Sequence, residues 1–166
     1  MAKVKSSSMG VYLKASKEGE VYNRVGANCS SLSINFNPVE NEYADVTTDV
    51  TKTELEGYKV SVEGSGKYEK GDPIYELFHK LHTKMAVLDD AKFPMLLVYR
   101  YDNDKANLFE DATVTINSIN LAGSETLEVD FKISANCNPV EGTASLTLDD
   151  NFKTAKFTKT VTGVGA

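Results

Sequence analysis

The 166-residue sequence has no tryptophan and only two histidines, two cysteines and four prolines. Each scarcity removes a class of function. Without tryptophan, and with few aromatics outside apparent core positions, a sugar-stacking cleft is poorly provided for. Both histidines, His79 and His82, lie in one short segment. Nothing elsewhere can form a Ser-His or Cys-His pair at sequence level, and no GxSxG elbow surrounds any serine. Cys29 and Cys137 form no CxxC and no zinc spacing. A reduced pair of small buried hydrophobes is the expectation, although the sequence leaves a disulfide open. No apolar run approaches the roughly 20 residues that cross a bilayer. The start, MAKVKSSSMGVYLK, lacks an apolar core of signal-peptide length, so export by that route is not expected. A basic surplus is missing too. The net charge is −6, against a surface that grips nucleic acid.

What is present is alternation of period two, the mark of half-buried strands. TLEVDFKIS sets Leu127, Val129, Phe131 and Ile133 opposite Glu128, Asp130 and Lys132. ATVTINSINL alternates through Val114 and Ile116 and resumes at Ile119 and Leu121. That slip near Asn117 and Ser118 predicts a bulge. GYKVSVEG offers Tyr58, Val60 and Val62, and SLSINF offers Leu32, Ile34 and Phe36. PMLLVYRY is almost continuously apolar and predicts a strand buried on both faces. GVYLK, EVYNRV, TASLTL and FKTAKFTKT add shorter strands. Turns are expected at Glu18-Gly19, Ala122-Gly123 and Asp150-Asn151.

One segment has helical period. In GDPIYELFHKLHTKM, residues Ile74, Leu77, Phe78 and Leu81 follow i, i+3, i+4, i+7, with Asp72 as N-cap and Pro73 as first helical residue. The expected fold is a single mainly-β domain over 1–166, a β-sandwich or half-barrel with one flanking helix at about 73–84. Residues 37 to 57 are polar and acidic: Glu40, Glu42, Asp45, Asp49, Glu54 and Glu56 against Lys52. They predict a long loop, too long for an ordinary hairpin connection. Val39, Tyr43, Val46, Val50 and Leu55 recur within it, so it is expected to order against a neighbouring subunit.

Other sites fail on spacing. Glu76-x-x-His79 would need a second such motif on a facing helix to hold two metals. Asp102-Asn103-Asp104 begins like a calcium loop but reaches Ala106, Asn107 and Thr113 where the pattern requires an acidic or amide residue, glycine and glutamate. Gly64-Ser65-Gly66 has no following helix or phosphate-binding lysine. No enzyme, metal or cofactor signal emerges.

The order of features from EGYKVSVEGSGKYEKGDPIYELFHKLHTKMAVLDDAKFPMLLVYRY through ATVTINSINLAGSETLEVDFKISANCNPVEGTASLTL resembles the major tail tube proteins of tailed bacteriophages. The likeness rests on Thr53-Glu54-Leu55 and Tyr58 after the acidic loop, and on the Gly71-Asp72-Pro73 helix start. The Leu96-Leu97-Val98-Tyr99 strand and the late Asn138-Pro139-Val140 complete it. It covers roughly residues 30 to 148. The resemblance implies a structural subunit, not an enzyme, built as hexameric rings stacked into a tube. Type VI secretion tube proteins share that architecture. It implies a lumen that holds a tape measure protein and conducts DNA without specific binding. It also implies tail terminator and tail tip or baseplate proteins as partners, no membrane, and a place in the virion tail after assembly in the host cytoplasm.

On this reading the expected inter-ring or inter-subunit contact is the loop residues Pro38, Val39, Glu40, Glu42, Tyr43, Asp45, Val46, Asp49, Val50 and Glu54. The alternating strands place Thr113, Thr115, Asn117, Glu128 and Asp130 as lumen candidates; a solvent-facing or lysine-paired role is the alternative. The rival function is a monomeric β-sandwich module binding glycan or peptide, with Tyr99 and Tyr101 as its exposed aromatics. One further feature is a repeat. SINFNPVE at 33–40 and SANCNPVE at 134–141 both read as strand exits, because proline lacks a ladder donor.

Overall fold

The structure is a computed structural model that describes residues 1–47, 49–121, 123, 125–147 and 152–161. Among these residues twelve strands and one α-helix run in the order β1 (Met9–Leu13), β2 (Val21–Val25), β3 (Cys29–Asn35), β4 (Pro38–Ala44), β5 (Thr51–Tyr58), β6 (Ser61–Lys67), α1 (Pro73–Lys84), β7 (Met95–Tyr99), β8 (Lys105–Phe109), β9 (Ala112–Asn120), β10 (Glu128–Ala135), β11 (Val140–Leu146) and β12 (Thr154–Lys159). Strands β1-β2-β12-β11-β8-β7 close a barrel; β3-β6-β10-β9 form a four-stranded sheet; β4 and β5 form a separate two-stranded hairpin. This replaces the expected sandwich or half-barrel. Ring closure depends on which distant strands pair, and alternation within a strand carries no such information.

Two apolar cores explain the layering. Tyr12, Tyr22, Leu96, Val98, Ala106, Leu108, Ala144 and Ala155 fill one cluster, drawn from barrel strands alone. The larger cluster joins the opposite faces of β1 and β7 (Val11, Leu13, Met95, Leu97) to Val62, Val129, Phe131 and Ile133 of the sheet and to the helix. The continuous apolar run of β7 therefore serves two cores at once: Leu96 and Val98 on one face, Met95 and Leu97 on the other, all fully buried.

The helix matches its expected bounds. Asp72 Oδ1 accepts from Ile74 N at 2.9 Å, and Met85 closes the helix in the left-handed region at φ 48°. Ile74, Leu77, Phe78 and Leu81 are buried, and the Phe78 ring lies 4.8 Å from that of Phe131. Tyr75, outside the expected stripe, is buried too and donates to Ala27 O at 2.7 Å. The GxG of β6 is explained here. A Cβ on Gly66 would stand 2.2 Å from Tyr75 Oη and 2.8 Å from Cys29 Sγ, and one on Gly64 would stand 2.8 Å from Phe131. These glycines give the helix and β10 aromatics room against the sheet.

Several expectations need correction. The loop at 37–57 is a hairpin with a bulge between Val39 and Glu40. It escaped recognition because both of its faces are solvated, so no alternation marks it. The turns expected at Ala122-Gly123 and Asp150-Asn151 involve residues outside those described. Both cysteines were expected to be buried; Cys29 is half-buried and Cys137 exposed. Both are free, at opposite ends of the four-stranded sheet. Leu32, Phe36 and Tyr58, read as apolar faces of buried strands, are exposed.

Candidate assembly surfaces

The outward face of the four-stranded sheet is polar along all four strands. Cross-strand register sets the rows: Asn35-Ser61-Ser134-Thr113, Ser33-Glu63-Lys132-Thr115, Ser31-Ser65-Asp130-Ser118, and Lys67-Glu128-Asn120. Thr113, Thr115, Glu128 and Asp130 thus share one face. Asn117 is the unpaired residue of the β9 bulge, opposite the shift between Asp130 and Phe131. The phase slip read in the sequence is that bulge.

Hydrogen bonds tie this face together. Ser65 Oγ donates to Glu128 Oε1 at 2.7 Å, and Ser118 Oγ and Asn120 Nδ2 donate to Asp130 Oδ2 at 2.7 and 3.2 Å. Ser65, then Ser118 and Asn120, favour the ionised form and hold the Asp130 carboxyl below the usual aspartate range. Lys132 Nζ sits 3.5 Å from Glu63 Oε1. The charged side chains of these rows are Glu63, Glu128 and Asp130 against Lys67 and Lys132, so the face carries a slight acidic surplus with many hydroxyls.

The hairpin stands apart. Both strands are exposed, with Val46, Val50, Leu55 and Tyr58 among the large apolar residues in solvent and Tyr43 at the margin. Val39 is half-buried; Pro38, Glu40, Glu42, Asp49 and Glu54 are exposed. Asp45 shapes the tip. Its Oδ1 accepts from Thr47 N at 2.9 Å and from Thr47 Oγ1 at 2.7 Å, and its Oδ2 lies 3.4 Å from Lys52 Nζ. Thr47 and Lys52 lower the Asp45 carboxyl pKa. Tyr43 Oη donates to Glu54 Oε1 at 3.1 Å across the strands. An isolated two-stranded hairpin is marginal in water, and this one packs mainly on itself.

The repeated phrases lie at one end of the sheet. β3 and β10 flank β6 antiparallel, so they run parallel to each other, and both leave the sheet at the Ser61 row. Asn37 adopts φ 43°; its Nδ2 donates to Lys59 O at 2.9 Å and Ser61 Oγ at 3.1 Å. In the second copy Asn136 Nδ2 donates to Thr113 Oγ1 at 2.9 Å and Asp111 Oδ1 at 3.2 Å. Two strand exits with similar sequences bound one shallow polar cleft.

Residues weighed for other chemistry do not converge. His79 and His82 stack edge to face on the outer side of α1. Among the described residues no group of three or more His, Cys, Asp or Glu could hold a metal ion, and no helix is long and apolar enough to cross a membrane. Tyr99 is half-buried and Tyr101 exposed, their rings nearly perpendicular at 80°.

No family model matches the chain, and no curated protein matches it in sequence. Solved structures do. A chain from the tail of an empty gene transfer agent particle, determined by helical refinement with C6 symmetry, superposes at TM-score 0.61. That alignment has 11% identity over 82% of this chain and 97% of that one. A chain of the native gene transfer agent virion aligns at TM-score 0.54 and 12% identity over 94% of this chain and 99% of that one. The chain has the fold of a tail protein. A chain of the sheath-tube complex of an extracellular contractile injection system aligns at TM-score 0.49 and 12% identity, over 85% of this chain and 92% of that one, too low to weigh. The resemblance to tail tube proteins drawn from the sequence is thus matched at the level of fold, across most of both chains.

Proposed function

We propose that the chain is the structural subunit of a phage-like tail tube, assembling into hexameric rings that stack around a lumen. The observation that carries this reading is the four-stranded sheet: a polar face on one side, and two edges with unused pairing capacity. Among the described residues β3 pairs only with β6, and β9 only with β10 apart from a bridge between Lys92 and Thr113. Directions alternate across the four strands, so the β3 of one copy meets the β9 of the next in antiparallel sense, and the pattern repeats without a break. Closed soluble barrels have no edges, whereas exposed edges recruit further strands. With the sixfold symmetry of the gene transfer agent tail, six such sheets make a barrel of about 24 strands. At about 4.8 Å between strands and a tilt near 40°, its backbone radius is roughly 25 Å.

The wall of that barrel is the polar face with Thr113, Thr115, Glu128 and Asp130. Duplex DNA carries a phosphate charge about every 1.7 Å of axis, and a cationic wall would hold it by counterion release. Hydroxyls and a slight acidic surplus let it slide. A tape measure protein would occupy the same lumen during assembly, with terminator and tip or baseplate proteins closing the ends. Assembly in the host cytoplasm and residence in the virion tail follow from this role. The hairpin supplies the inter-ring or inter-subunit contact, where Tyr43, Val46, Val50 and Leu55 lose their exposure.

Negative-stain microscopy and sedimentation velocity across a concentration series test the reading. Rings or tubes appearing with concentration are the expected result. A chain that stays monomeric at every concentration, with tail components added, overturns it.

A further inference from the structure

The proposed ring leaves a second contact unassigned. Immediately after α1, segment 85–88 carries Met85, Val87 and Leu88, which are 83%, 67% and 81% exposed. Two of these residues also hold a backbone that side chains resist, with φ 48° at Met85 and φ 54° at Leu88. Met85 adopts it as the C-cap of α1, whereas Leu88 lies beyond that cap, and left-handed strain in a bulky residue concentrates where a segment has a task beyond its own fold. The chain that follows the segment runs along the β9 edge: Phe93 N donates to Ala112 O at 2.8 Å, and Lys92 bridges Thr113.

At the opposite edge of the sheet lies a groove between β3 and the barrel strands β1 and β2. Leu32, Ile34 and Phe36 form one wall, and Met9 and Val25 the other. Leu32 and Phe36 are the exposed apolar residues that the alternation of β3 had assigned to a buried face. The groove thus lies beside β3 as the chain leading from the apolar segment lies beside β9. That chain meets the sheet at its Ser61 row through Thr113, and the groove, which runs along β3, reaches the same row at its Phe36 end beside Asn35.

We propose that segment 85–88 of one copy seats in the β3–β1–β2 groove of the next copy around the ring, with Leu88 against Phe36 and Ile34. This deepens the tube reading and rests on it. The contact is heterologous, head to tail, so one copy offers the segment and the next the groove, and closure needs no second surface. It secures the sheet-edge pairing behind the lumen wall, as apolar packing outside a ladder secures the ladder itself.

The head-to-tail geometry gives a distinctive test by sedimentation velocity. Leu88→Asp alters an exposed side chain and should leave the monomer folded. It is expected to raise the concentration needed for rings by about 30-fold or more, the loss expected of a central interface side chain. Phe36→Asp should do the same from the groove side, with circular dichroism confirming its fold. Mixed in equal amounts, the two variants should form dimers and nothing larger, because only the pairing of an intact segment with an intact groove survives. If the wild type forms rings and Leu88→Asp forms them at the same concentration, this contact falls and the tube reading stands. Rings lost in each variant but no dimer in the mixture also overturn it. A wild type that never assembles removes the tube reading and this contact with it.

Discussion

At Gly66 a single hydrogen atom decides whether the helix can lie on the sheet. Tyr75 Oη is fixed by its bond to Ala27 O, so it cannot retreat from an added methyl. Gly66→Ala is expected to destabilise the monomer by about 2–3 kcal/mol through overpacking, read as a lower urea midpoint at unchanged slope. Tyr75→Phe, which removes the clashing oxygen, should recover part of that loss in the double variant; strictly additive effects would refute the contact. The two thiols differ for a related reason. Burial, partly offset by the hydrogen bond with Tyr75, pushes the Cys29 thiol pKa up, whereas Cys137 is exposed. Native protein treated with maleimide near pH 7.5 should modify Cys137 first and Cys29 much more slowly, since the thiolate is the nucleophile. Equal rates would contradict the packing of Cys29 under α1.

Among the elements, β9 and β10 carry the electrostatics of the polar face. Hydrogen bonds from its neighbours lower the Asp130 pKa. The sign follows: this group favours the folded state above its unfolded pKa near 3.9. That contribution is lost as pH falls through the lower folded value. Ser118→Ala removes one donor and should shift the Asp130 titration upward, followed by carboxyl carbon chemical shifts; an unmoved curve would show that Ser118 does not hold it. The hairpin is a separable element because it packs mainly on itself. Deleting residues 40 to 53 should leave thermal unfolding within about 1 kcal/mol of the parent, the range of surface changes, while abolishing tube formation. Normal tubes from the deletion variant would end the assembly role of the hairpin.

The whole molecule is two cores in series: a closed barrel, and a sheet that is open at both edges. That asymmetry drives the functional reading. Edges in the barrel are satisfied within one chain, so on the proposed reading strand pairing around a ring uses the open edges of the four-stranded sheet, while the hairpin serves as a separate contact. If the polar face lines the lumen, assembled tubes should retain no duplex DNA in a gel shift at low salt, where electrostatic binding is strongest. Retention that vanishes with rising salt would place a cationic surface there instead.

Local order was written in the sequence where burial left a periodic pattern or an unbroken apolar run. The helix from Pro73 to Lys84, the bulge at Asn117 and the doubly buried β7 were all legible, because burial leaves a mark at period 3.6, at a slipped period 2, or as an unbroken apolar run. The polar rows of β9 and β10 were legible for the same reason. The hairpin was not, since a ladder with solvent on both sides imposes no alternation. Nor were the exposure of Leu32 and Phe36 or the need for glycine at Gly64 and Gly66. Those depend on which strand lies at an edge and which ring lies overhead, facts fixed by pairing between residues far apart in the chain. Barrel closure belongs with them: each strand carries its own period, but only the complete set of partners decides where a sheet ends and what is left open for another copy.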